Sequence, residues 1–118
     1  MKEKHPKLLR NQSSWDCGKG WHPLLEDLFE TLDGIIEYLP MEIKGEMYIV
    51  QIKEKFGALV VYMNQETPAI TGAISLAENI SYRLCEECGK PGTQRMTGWV
   101  KTLCNTHHKK REAQKNKG

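Results

Sequence analysis

A chain of 118 residues, 39% hydrophobic and 27% charged, has room for one compact domain that buries about two-thirds of the surface its unfolded form exposes, and its composition excludes wholesale disorder. No apolar run approaches the roughly 20 residues of a membrane helix, and "MKEKHPKLLRNQSSWDCGKG" lacks the apolar core of a signal peptide, so a cytoplasmic protein with reduced thiols is expected. The net charge of +2 conceals a segregation: residues 1–20 carry five Lys/Arg against two Asp/Glu, 21–82 three against ten, and 83–118 nine against three, an asymmetry that bears on partners more than on fold.

Residues 1–20 show no periodicity and read as a flexible or irregular arm. Within them "SSWDCGKGWHP" carries Trp15 and leads to Trp21, and indoles are rarely left in water, so part of this arm is expected to lie against the body or a partner. Gly18 and Gly20 neither follow a strand nor open a P-loop, so they give no support for a phosphate site.

The span 22–39, "HPLLEDLFETLDGIIEYL", predicts an amphipathic helix. Leu25, Leu28, Leu32, Ile35, Ile36 and Leu39 recur at spacings of three and four, Pro23 suits the first turn and Pro40 ends the helix. Glu26, Asp27, Glu30, Asp33 and Glu37 fall mostly off the stripe and read as its wet face, not as an acid–base pair. Gly34 is unfavourable inside a helix by about 1 kcal/mol relative to alanine, which suggests a close contact there.

"MYIVQIKEKFGALVVYM", residues 47–63, predicts a β-hairpin with strands near 47–53 and 58–63 and Gly57 in the turn. The second strand is almost continuously apolar, so both of its faces are expected to be covered. "TPAITGAISLAENISYRL" follows as a second helix, capped by Thr67 with Pro68 at its first position and Ile70, Ala73, Ile74, Ala77 and Ile80 facing inward.

The chemistry gathers at 85–108, which holds three of the four cysteines and two of the four histidines. Cys85-x2-Cys88 is followed after 15 residues by Cys104-x2-His107, the two-pair spacing of a tetrahedral zinc site. Gly89 gives the backbone the freedom that a knuckle needs, and residues 93–96 and 99–103 can pair about Thr97-Gly98 to bring the second pair back to the first. Clustered cysteines in a reduced compartment argue for metal over disulfides. His107 keeps the symmetric spacing and is the expected fourth ligand; His108 and Cys17 are the alternatives. Four donors at closed-site spacing imply one structural Zn2+ and no catalytic residue, since catalytic zinc keeps an open position. His5 and His22 have no ligand-spaced neighbour.

"CEECGKPG", "GWVKTLC", "GWHPLL" and "QIKEKFGALVVY" together resemble a group of small zinc-ribbon proteins of phages and prophages, over roughly residues 20–108. That resemblance brings no activity with it; it implies a protein that binds and inhibits or redirects a host complex, in the manner of anti-defence and anti-CRISPR factors. "LCNTHHKKRE" is similar to the closing segment of HNH endonucleases, but residues 89–103 contain no histidine and no Asp or Glu, so the general base and catalytic metal ligands of such a nuclease are missing.

The sequence therefore predicts an α+β fold: an arm (1–20), a helix–hairpin–helix body (21–82), a zinc ribbon or treble-clef-like element (83–108) and a basic terminal helix or tail (109–118). Its site residues are Cys85, Cys88, Cys104 and His107 for the metal. Arg83, Lys90, Arg95, Trp99, Lys101, Lys109, Lys110 and Arg111 form a candidate surface for nucleic acid or a host nucleoprotein partner. The expected function is non-enzymatic binding, with nucleic-acid regulation as the alternative.

Overall fold

The computed structural model describes residues 4–12, 15–96 and 98–117, and they form helices combined with two small antiparallel sheets, an α+β architecture. A 3-10 turn over Lys19–Trp21 leads into helix α1, His22–Glu37, and a single turn of helix, α2, covers Met41–Lys44. Strands β1 (Ile49–Lys55) and β2 (Ala58–Met63) form the first hairpin, helix α3 spans Pro68–Ser81, strands β3 (Thr93–Arg95) and β4 (Lys101–Leu103) form the second, and helix α4 runs Asn105–Lys117.

Helix α1 buries Leu25, Leu28, Phe29 and Leu32, and Ile35, Ile36 and Leu39 pack at the margin of the core. Phe29, four positions after Leu25 and three before Leu32, shares this face and is wholly buried, edge-on to Trp15 at 5.4 Å between ring centroids. Glu26, Asp27, Glu30 and Glu37 are exposed. Gly34 has no close contact: a Cβ there would meet nothing within 4 Å, so the expectation of a tight neighbour is corrected, and the glycine is simply a weak point on an exposed helix face.

The first hairpin has register Lys55↔Ala58 and Ile52↔Val61, which leaves Phe56 and Gly57 as a two-residue turn. Both lie at positive φ, 54° and 84°, as the favoured hairpin turn demands. In β2, Ala58, Leu59, Val61 and Met63 are buried, but Tyr62 is 41% exposed. The expectation that both faces of this strand are covered therefore fails: α3 packs against the strand, but Tyr62 stays open and meets Lys53 Nζ at 5.8 Å from its ring centre.

Helix α3 is capped as expected, with Thr67 Oγ1 accepting from the Ile70 N–H. Its stripe is real but shallow: Ile70 and Ala77 are buried, while Ala73 and Ile74 sit at the core's edge. Ser81, at the helix end, is fully buried and doubly bonded; its Oγ accepts from Leu59 N–H at 2.9 Å and donates to Glu78 O at 2.6 Å.

The arm is built into this body. Leu8 and Leu9 are buried in the core, the Leu8 carbonyl accepts from Ile49 N–H at 2.9 Å, and Asp16 pairs with β1 through Ile52 O and Glu54 N. Residues 4–12 are a run of turns without a regular element; residues 1–3, 13 and 14 of the expected arm lie outside the described residues.

Candidate metal centre

The centre is assembled by three short pieces of chain. After α3, Leu84 bridges Pro91, and between them the chain closes a knuckle. Cys85 N–H donates to Lys90 O at 2.7 Å, and Gly89 N–H returns to Cys85 O at 2.8 Å. Gly89 takes φ +80°, the left-handed backbone that such a knuckle needs and a side chain resists. The second hairpin, in register Gln94↔Thr102, brings Cys104 back to the knuckle, and His107 lies in the first turn of α4. Thr97, expected at the tip of this hairpin, lies outside the described residues; Gly98 beside it has φ +66°.

Cys85, Cys88, Cys104 and His107 each offer one ligand atom, and the four atoms all lie within 4.8 Å of one another. Cys88 Sγ is 3.8 Å from Cys104 Sγ, Cys85 Sγ is 3.6 Å from His107 Nδ1, and Cys104 Sγ is 3.2 Å from the same nitrogen. An ion bound tetrahedrally at about 2.3 Å from sulfur and about 2.0 Å from nitrogen sets edges of about 3.8 Å between sulfurs and about 3.6 Å from sulfur to nitrogen. The spacing is compatible with one metal ion held by all four. It is not that of a disulfide, and all four cysteines are free thiols.

Of the two histidines, His107 belongs to the cluster, with its Nδ1 facing the sulfurs of Cys85 and Cys104, and His108 does not. Cys17 does not belong to it either. Its thiol is pushed up to about 12 by burial, with the charges of Glu86 and Asp16 adding to the effect. The ligand thiols behave differently. Cys104 is held down to about 6, first by the N–H of His107, whose nitrogen lies 3.4 Å from the sulfur. At Cys88 the Lys90 N–H pulls down, but desolvation and the neighbouring thiols of Cys85 and Cys104 outweigh it and the net shift is upward. Crowding three thiols together favours charge on one and disfavours it on the next, a conflict that a bound cation removes.

The support for the centre comes from the arm, which the spacing of the cysteines did not reveal. Gly20 N–H donates to Glu86 O at 2.7 Å, Gly18 N–H to Glu86 Oε2 at 2.9 Å, and Trp21 Nε1 to Leu84 O at 3.0 Å. Trp21 is wholly buried and Glu86, inside the Cys85–Cys88 pair, is 3% exposed. Its carboxylate also receives Lys101 Nζ at 3.3 Å. A Cβ on Gly20 would stand 2.6 Å from both Glu86 O and Gly89 N, so the "GKGW" glycines let two backbones touch. The only advance signal was the pair of glycines beside a tryptophan. From the other side, the hairpin turn is bolted on: Thr102 Oγ1 donates to Gly57 O at 2.6 Å and Gln94 Nε2 to Phe56 O at 2.9 Å.

Three members of the basic set are engaged by the chain itself. Arg95 is turned onto the Leu103 carbonyl and Asn105 Oδ1, Lys101 onto Glu86, and Arg111 onto the Trp99 carbonyl. Arg83, Lys90, Lys109 and Lys110 are exposed, and their side chains have no partner among the described residues. Trp99 is 72% exposed. The isolated histidines have structural company: His5 Nδ1 pairs with Asp33 Oδ2, and His22 stacks edge-on with Trp15 at 4.8 Å. No helix is long and apolar enough to cross a membrane among the described residues. No protein-family model, curated protein or solved structure matches the chain.

Proposed function

We propose that the chain is a non-enzymatic protein of the phage zinc-ribbon type, whose single structural Zn2+ holds a binding surface rigid, and that its partner is a host nucleoprotein complex. The observation that carries this reading is the closed set of donors, three sulfurs and one imidazole nitrogen within 4.8 Å. Borderline-soft, tetrahedral zinc suits three thiolates and an imidazole, and a centre filled by four protein ligands keeps no corner for a reacting water. Three thiolates also donate charge to the ion and weaken it as a Lewis acid. The knuckle, hairpin and following helix that carry the ligands agree with a treble-clef-like element. The host-complex part rests on the phage-type motifs and on the charge segregation, an acidic α1 against a basic carboxyl-terminal third.

Metal analysis of the purified protein should find one zinc per chain, and a cobalt-loaded sample should absorb as tetrahedral thiolate-bound cobalt. Less than half an equivalent of metal, or an octahedral spectrum, would sink the structural-zinc reading. Affinity purification from host lysate, with co-purifying nucleic acid retained, should recover a defined nucleoprotein complex; recovery of no protein partner counts against that assignment.

A second reading, direct nucleic-acid binding as a regulator, is favoured by the exposed cations Arg83, Lys90, Lys109 and Lys110, whose side chains have no partner among the described residues. Lys109→Glu with Lys110→Glu tests it better than a change at Arg111, which holds the Trp99 carbonyl. Salt-dependent binding to naked nucleic acid that this double variant abolishes would select the second reading over the first.

A further inference from the structure

The tips of the two hairpins meet at a feature that the metal site does not use. Phe56 and Trp99 are 68% and 72% exposed and line, with Glu54, Lys55, Gly98 and Val100, a cavity of about 330 Å3. No ring contact joins Phe56 to Trp99 among the described residues, so they stand as separate walls of an open slot. Phe56 is also the one described non-glycine residue at positive φ, 54°. A bulky residue held there is strained, and such strain persists where the surroundings over-determine it. The bonds from Gln94 to the Phe56 carbonyl and from Thr102 to the Gly57 carbonyl do this, holding the backbone of the turn while the ring stays exposed. Burial therefore does not explain why a phenylalanine occupies a turn position that glycine or asparagine would fill without cost.

We infer that the slot between Phe56 and Trp99 binds an unpaired base of single-stranded nucleic acid. The occupant is argued from charge. Lys55 lines the slot, is exposed and forms no ion pair among the described residues, and Arg111, outside the lining, donates to the Trp99 carbonyl, a neutral partner that leaves its charge in place. The one acid in the lining, Glu54, turns its Oε2 to the Gly57 N–H at 2.7 Å. Gly98, Trp99 and Val100 belong to the part of the chain in which nine Lys/Arg face three Glu, over 83–118, while Glu54, Lys55 and Phe56 come from the acidic 21–82. Aromatic walls with flanking cations suit bases strung on a phosphate backbone, and stacking on such walls tolerates any base. A duplex keeps its bases stacked on one another and offers none to the slot. The inference deepens the binding reading above by naming what part of a nucleoprotein partner the zinc element would touch.

Trp99 supplies the readout, because Trp21 is wholly buried and Trp15 packs against His22 and Phe29. Titrating the zinc-loaded protein with a twelve-residue oligothymidylate or oligouridylate at low salt should quench its tryptophan emission. A duplex of equal length should bind at least tenfold more weakly. Trp99→Ala should abolish the quench, and Trp99→Ala and Phe56→Gly should each weaken binding, read by anisotropy of a labelled oligonucleotide, at least tenfold. Phe56→Gly relieves the strained turn and should melt no lower than the parent, which separates lost binding from lost folding. Equal affinity for duplex and single strand, or wild-type affinity in both variants, overturns the inference. So does a blue shift of Trp99 emission on adding the purified protein partner but not the oligonucleotides, which would give the slot to an apolar side chain of that partner. Metal content and partner recovery are read independently, so this inference can fail while the zinc-protein reading stands.

Discussion

Gly20 carries no side chain, yet the metal knuckle depends on it. Its amide bonds Glu86 O, and a Cβ at that position would press into Glu86 O and Gly89 N at 2.6 Å. Both atoms are backbone, so nothing flexible can give way. Gly20→Ala should therefore cost at least about 2 kcal/mol, in the range of overpacked or strained sites, and should weaken metal retention in a competition with a chromogenic chelator. An alanine variant that melts and holds metal like the parent would show that the arm does not brace the knuckle. Cys17, three residues earlier, gives a prediction of a different kind. Its thiol is raised to about 12 in the folded protein from an ordinary value of 9, so the folded state holds that proton more tightly than the unfolded one. The resulting stability is complete below about pH 9 and is lost as the pH rises from there through about 12. Urea melts of the parent should show this alkaline loss, and Cys17→Ala should flatten it. Cys17 should also resist iodoacetamide at pH 8, since the thiolate is the reactive form.

At the scale of elements, two glycines stand inside helices with no packing reason. Gly34 in α1 and Gly72 in α3 would both carry a Cβ into open space, and the penalty of glycine in a helix interior is about 1 kcal/mol relative to alanine. Gly34→Ala and Gly72→Ala should each stabilise the fold by up to about 1 kcal/mol in denaturant melts, and their effects should add because they lie on separate helices. A loss of stability at either would mean that the added methyl group meets a neighbour within the protein and that the position is not open. The same helices show what could be read in advance. The leucine spacing of α1 and the Thr67-Pro68 start of α3 are local signals, and both elements stand where those signals put them. The metal cluster was legible for the same reason, since two x2 pairs are local even though the 15 residues between them are not. Leu8 and Leu9 were not legible, because their burial depends on a bond from Leu8 O to Ile49, 41 positions away along the chain. Phe29 was missed although it lies four positions after Leu25 and three before Leu32, at the helical spacing of the stripe itself, where it also packs edge-on to Trp15. The cover over β2 was overestimated from composition alone, since an apolar run cannot say that Tyr62 will lie under a lysine and not under a helix.

Across the whole molecule, the metal element and the body are joined by bonds that leave little independence to either. The arm grips the knuckle through Gly18 and Gly20, Trp21 beside it adds a third bond, and the first hairpin's turn grips the second hairpin through Phe56 and Gly57. A small chain with a core of this size gains its margin from such cross-links, and structural zinc can supply on the order of 10 kcal/mol in peptide systems. Removing the ion would leave three crowded thiols and free the knuckle that the arm is folded around. The loss should then spread from the ligands to the core through Trp21, whose indole is both a core side chain and the bond to Leu84 O. Calorimetry of the metal-loaded protein should show one cooperative transition. Treatment with a strong chelator under reducing conditions should lower the melting temperature by tens of degrees, with loss of structure in the arm as well as in residues 84–108 by hydrogen exchange. Cys85→Ser should reproduce the effect without chelator, since Cys85 is the fully buried ligand. If the chelated protein instead keeps the arm and helix α1 protected and loses only the knuckle, the two parts fold separately, and the bonds between them are contacts of convenience that do not couple the metal to the core.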